Sequence, residues 1–130
     1  MFLLFATSSQ CIALMEIQNV SKARAKELGM EIRSNAAGPD AVRVELEFET
    51  TGELKSLNRV DLEFREGGKF LMTSSLREDR SKPGRVVVSF AADRARLEQI
   101  SMRVVVQRSP RNMTGYAILV RDFVELEKLR

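Results

Sequence analysis

Apolar and polar residues alternate strictly in AVRVELEF (41–48), with Val42, Val44, Leu46 and Phe48 on one side and Arg43, Glu45 and Glu47 on the other. A period of two is the signature of a strand with one buried face. The alternation returns in RVDLEFR (59–65), which sets Val60, Leu62 and Phe64 against Asp61, Glu63 and Arg65. In ISMRVVV (100–106), Ile100, Met102, Val104 and Val106 point inward by the same rule. RVVVSF (85–90) and GYAILV (115–120) read as further strands. Two glycines, Gly67 and Gly68, separate RVDLEFRE from KFLMTS, and glycine accepts the positive φ that tight hairpins require. Thr51-Gly52 and the stretch 34–40 punctuate the earlier strands in the same manner.

Helical signals are brief. In SKARAKELG, Ser21 can accept from first-turn amides and Gly29 can take the left-handed conformation that ends a helix. A second turn is expected at ADRARLEQ, with Asp93 as its cap. The pattern therefore predicts an all-β protein, an antiparallel β-sandwich of about seven or eight strands with one or two short helical turns. Length agrees, since 130 residues suit a single domain. Residues 14–130 are read as that domain.

Composition narrows the chemistry mainly by what it lacks. There is no His and no Trp, and Cys11 is the one cysteine. Nucleophile–imidazole pairs, His- or thiolate-based metal sites and an internal disulfide are thereby excluded. No cofactor or metal is expected, and catalysis would have to rest on carboxylates, Lys, Arg, Ser or Thr. The net charge of +3 is unevenly spread: residues 1–68 carry eight Lys or Arg against eleven Asp or Glu, residues 69–130 thirteen against seven.

Three constellations follow. Glu45, Glu47 and Glu49 with Asp61 and Glu63 form a carboxylate row on outward strand positions. The expectation is a solvated polar face, with Arg43, Arg59 and Arg65 pairing across strands. The basic half supplies an anion-attracting set, Arg77, Arg80, Lys82, Arg85, Arg94, Arg96, Arg108 and Arg111, if the fold gathers it. Nucleic acid is disfavoured as its ligand, because Phe70 and Phe90 are the only aromatics between 69 and 111 and alternation turns both inward. Lastly, RVVVSF, RVVVQ and YAILV are apolar at consecutive positions, so Val87, Val105 and Leu119 face away from the core side. A strand apolar on both faces needs a cover, and a second copy of the chain is the simplest one.

The N-terminus bears on location. MFLLFAT supplies an apolar run and TSSQCIA a small or polar one, with Cys11 and Ala13 at the −3 and −1 places of an export-signal cut. No Lys or Arg precedes the run, and Gln10 stands where a lipoprotein signal carries a small residue. Residues 1–13 are read as an export-signal remnant, with an N-terminal strand as the alternative; the run is too short to span a membrane. The expected object is a non-catalytic binding or assembly domain, a homodimer or partner-binding protein, periplasmic or extracellular if exported and cytoplasmic otherwise. The alternatives are a carboxylate-dependent hydrolase using acids such as Glu78 and Asp79, and a polyanion-binding module on the 77–111 region.

Overall fold

A computed structural model describes residues 15–124; the reading of residues 1–13 lies outside the described residues. The chain runs β1 (Met15–Asn19), α1 (Lys22–Glu27), β2 (Met30–Ala36), β3 (Ala41–Glu49), β4 (Leu57–Glu66), β5 (Lys69–Ser75), β6 (Arg85–Asp93), β7 (Ile100–Ser109) and β8 (Asn112–Leu119). One sheet has the order β1-β8-β7-β4-β5 and the other β2-β3-β6. Every pairing is antiparallel except β1 with β8, which run parallel from Met15↔Met113 to Asn19↔Ala117.

The inner faces are the ones the alternation marks. Val42, Val44, Leu46 and Phe48 meet Val60, Met102, Val104, Val106 and Ile118 in one core, each fully excluded from solvent. Burial of a side chain of this size stabilises by about 1.5–3 kcal/mol, so the two inner faces hold the sandwich together. The β4–β5 hairpin turns at Gly67 (φ 58°) and Gly68 (φ 80°), conformations that a Cβ would strain. In α1 the Ser21 hydroxyl accepts from the Arg24 amide at 3.1 Å, and Gly29 follows with φ 73°. Ala25 and Leu28 seat the helix on the core.

Three expectations are corrected. Residues Arg94–Gln99 do form a 3-10 turn, but Asp93 makes no side-chain cap; the Arg94 amide bonds the Asp40 carbonyl instead. Phe70 is 56% exposed rather than inward. The register between β4 and β5 passes from Phe64↔Met72 to Arg65↔Phe70, leaving Leu71 as an extra residue. Such a bulge breaks the period of two, and β5 also lies at the edge of the wider sheet, beside β4 alone. Finally, the acid row does not form one solvated face. Glu45, Glu47 and Glu49 stand on the small sheet, Asp61 and Glu63 on the large one, and Glu47, Asp61 and Glu63 are buried. Arginines cover them: Arg59 Nε lies 2.8 Å from Asp61, while Arg65 Nε and Arg103 Nη2 lie 2.5 and 2.7 Å from Glu63. A carboxylate can leave water this way only because its charge is paired.

Candidate functional site

Because the even-numbered residues of β3 face the core, Arg43, Glu45, Glu47 and Glu49 rise from the outer face of the small sheet. The antiparallel register sets Ala91, Ser89, Val87 and Arg85 of β6 beside them, and Asn35, Arg33 and Glu31 on the β2 side. Glu47 is the hub of this face. Arg33 Nη2 reaches it at 2.9 Å and Lys82 Nζ at 3.6 Å, and Arg85 Nε donates to its other oxygen. Hydrogen bonds from Arg33 and then Arg85 hold its carboxyl down to about 2, well below the ordinary 4.5.

The chain then crosses between the sheets and builds a wall. After β5 the Leu76 amide still bonds the Val60 carbonyl of the large sheet. Three residues later Asp79 exchanges two backbone hydrogen bonds with Val87 of the small sheet, at 2.8 and 2.9 Å. Arg77, Glu78, Asp79 and Arg80 are thereby placed alongside Arg43, Glu45, Val87 and Ser89. Between them lies an open polar cleft of about 530 Å³.

Charges in this cleft are unequally satisfied. Arg80 grips Glu78 through Nε and Nη2 at 2.9 and 2.6 Å, and Glu45 is held by Arg33 at 2.5 Å. Asp79 Oδ1 accepts from the Ser81 amide at 2.9 Å, and that hydrogen bond lowers its pKa. Arg43 bonds only a neutral group among the described residues, the Ser89 hydroxyl at 3.1 Å, and exposed Arg77 has no ion-pair partner among them. Having accepted from Arg43, the Ser89 Oγ keeps its own proton to donate. Two guanidiniums and a hydroxyl donor thus face one concavity, an arrangement suited to a carboxylate or phosphate. The shifted carboxylates here, Glu47 and Asp79, are both held ionised.

The fold gathers half of the anion set and scatters the rest. Arg77, Arg80, Lys82 and Arg85 lie on this face. Arg94 and Arg96 belong to the 3-10 turn before β7, and Arg108 and Arg111 lie at its far end, about 26 Å away for eight strand residues. Arg108 serves the structure there: it bonds Thr114 Oγ1 at 3.2 Å, the Glu53 carbonyl at 3.1 Å and Tyr116 Oη at 3.0 Å. Tyr116 in turn donates to Glu53 at 2.9 Å, and Arg24 closes the cluster on Glu53 at 2.6 Å.

Val87, Val105 and Leu119 do not form one patch. Val87 lies half-buried in the cleft on the small sheet, whereas Val105 and Leu119 stand on the outer face of the large one. Leu119 is 41% exposed, but Val105 is fully buried between Arg59 and Gly115 of the neighbouring strands. Cover for Val105 therefore comes from within the chain. Arg43 and Ser89 were missed as ligand groups. Their outward parity is legible, but their meeting requires knowing that β3 pairs with β6, some forty residues apart.

No family model matches this chain, and no curated protein matches it. Among solved structures it is similar to the crystal structure of MHC-like MILL2, with a TM-score of 0.39 and 12% identity over 68% of this chain and 32% of that chain. The chain spans about a third of that protein's length, and a likeness this distant carries no argument about function. No helix among the described residues is long and apolar enough to cross a membrane, and their acidic residues form no metal-binding cluster.

Proposed function

We propose that this protein is a non-catalytic β-sandwich binding domain whose small-sheet cleft takes an anionic group, a carboxylate or phosphate, from a small molecule or a partner. The observation that carries this reading is the pair Arg43 and Arg77, neither engaged by a carboxylate among the described residues, facing a cleft with Ser89 between its walls. The alternative of a carboxylate-dependent hydrolase asks for an acid kept protonated near neutral pH. Glu78 and Asp79 do line the cleft, yet Glu78 is clamped by Arg80 and the Asp79 pKa is lowered. Neither supports that role.

Calorimetric titration with inorganic phosphate, sugar phosphates and small dicarboxylates tests the reading. Arg43→Ala with Arg77→Ala is expected to weaken binding at least about tenfold, the loss of two charge-assisted hydrogen bonds. Arg111→Ala is expected to leave it unchanged. If no anion of the panel binds, or if both variants behave alike, the cleft is not the site.

A second reading concerns assembly. Phe70, Leu71 and Met72 are 56%, 54% and 53% exposed in succession on the edge strand β5. At on the order of 100 Å² each they amount to about 300 Å² per copy, short of the roughly 800 Å² per partner of a stable interface. Two copies joined through this edge form a weak dimer, seen near 100 µM and not at 1 µM.

A further inference from the structure

The floor of the charged cleft ends at β6, the edge strand of the small sheet, and the backbone of that edge is only partly used. Along an antiparallel strand, successive residues turn their N–H and C=O together, first toward one neighbour and then toward the other side. Val87 turns both groups outward to Asp79, at 2.8 and 2.9 Å, so Ser89 and Ala91, of the same parity, turn theirs outward as well. The segment that supplies Asp79 does not follow the edge further, because three residues earlier the Leu76 amide bonds Val60 of the large sheet. Half-buried Ser89 and exposed Ala91 therefore offer two N–H donors and two C=O acceptors that no backbone group among the described residues takes up. An edge of this kind is a template for one more strand.

Building on the anion reading of the cleft, on which this rests, we propose that the β6 edge binds an extended peptide as an added strand and that the cleft receives an acidic side chain of that peptide. Side chains of the added strand alternate between the outer face and the core side. A residue paired with Ala91 directs its side chain to the outer face, and Arg43 lies opposite Ala91 on the β3 side. The two backbones are then about 9–10 Å apart, a gap that an arginine and a glutamate close together above the alanine methyl. Arg43 already leans over β6, since its Nη2 reaches the Ser89 hydroxyl at 3.1 Å. Arg77 supplies a second cation from the opposite wall. The neighbouring peptide residues point the other way, beside Phe90 and Ala92, which are half-buried at the margin of the core and suit apolar side chains. The partner recognised is thus an extended apolar–acidic–apolar sequence: main-chain hydrogen bonds hold it, and the two guanidiniums select the acid.

Calorimetric titration of the full chain with the capped peptide acetyl-Ser-Thr-Val-Glu-Val-Thr-Ser-amide tests this. The peptide is expected to bind at least about tenfold tighter than N-acetylglutamate amide, which brings the acid without a strand, and to slow hydrogen exchange at the Ser89 and Ala91 amides. N-methylation of the peptide's glutamate, whose N–H faces β6, is expected to weaken binding at least about tenfold, whereas N-methylation of the following valine, whose N–H faces away, leaves it within about twofold. Glutamine in place of the glutamate, or Arg43→Ala in the protein, is expected to cost at least about tenfold as well. A peptide that binds no tighter than N-acetylglutamate amide, or two N-methyl forms that bind alike, overturns the added strand; the anion cleft then still stands if phosphate or a dicarboxylate binds the wild type and is lost with Arg43→Ala and Arg77→Ala. A glutamine peptide that binds as well as the glutamate one overturns the recognition of an acid, and with it this proposal.

Discussion

Glu47 is the residue on which the outer face of the small sheet depends most. A carboxyl held near 2 in the fold and at about 4.5 when free binds fewer protons folded than unfolded between those values. Its stabilisation is therefore complete above about pH 4.5 and is lost as pH falls through about 2. Urea titrations from pH 6 to 2.5 are expected to give a falling stability for the wild type and a flatter profile for Glu47→Gln, on a lower plateau because Arg33, Arg85 and Lys82 lose their shared anion. Equal slopes would mean that the arginines do not hold Glu47. At the other end of the sandwich, Tyr116 is buried while its hydroxyl links Arg108 to Glu53, and burial is the main cause of its raised pKa. Tyr116→Phe keeps the ring and removes the link, at an expected cost of about 1–2 kcal/mol by chemical denaturation.

Among the strands, β7 and β8 carry the tightest constraint. A Cβ on Gly115 would come within 2.9 Å of Arg103 Cδ and 3.1 Å of Ile17 Cδ1. Arg103 cannot swing away without releasing Glu63, which it holds at 2.7 Å. Gly115→Ala is thus expected to destabilise by about 1–3 kcal/mol through overpacking, while Gly52→Ala, in open space, changes little. Val105 gives a sharper case. Were a second copy its cover, a lysine there would separate two subunits; since Val105 is wholly buried within its own chain, Val105→Lys is instead expected to unfold the protein, as Val104→Lys is. Circular dichroism distinguishes a folded monomer from a lost fold.

At the scale of the molecule, the sandwich is lopsided, five strands over three, and the edge strand β5 of the wider sheet carries the exposed apolar triplet. Leu71→Lys is expected to abolish self-association in sedimentation runs at about 100 µM without altering the melting temperature, because Leu71 makes no core contact. A wild type that stays monomeric at that concentration removes the dimer reading. β1 pairs fully with β8 from Met15 onward, so a chain beginning at Leu14 is expected to melt within about 1 kcal/mol of the longer one. A loss above about 3 kcal/mol would make residues 1–13 part of the core and end the export reading.

The strands β3, β4, β6, β7 and β8 and their inward faces were legible in the order of residues, because apolar alternation is a local signal set by the two-residue pleat. The α1 cap at Ser21 and the glycine hairpin at 67–68 were legible for the same reason, each being a matter of a few adjacent dihedrals. Which strands become neighbours is not local. Equal alternation in β3 and β4 suited one shared acidic face as well as two separate ones, and only the division into two sheets parted Glu47 from Glu63 and Val87 from Val105. The bulge at Leu71, which turned Phe70 outward, likewise depends on how β5 meets β4. The cleft belongs to this second kind of information: Arg43 and Arg77 face it only because β3 pairs with β6 and the 76–84 crossing is tied down by Asp79 on Val87. Spatial proximity between residues more than thirty apart is settled when the whole core closes, and no short stretch of chain contains it.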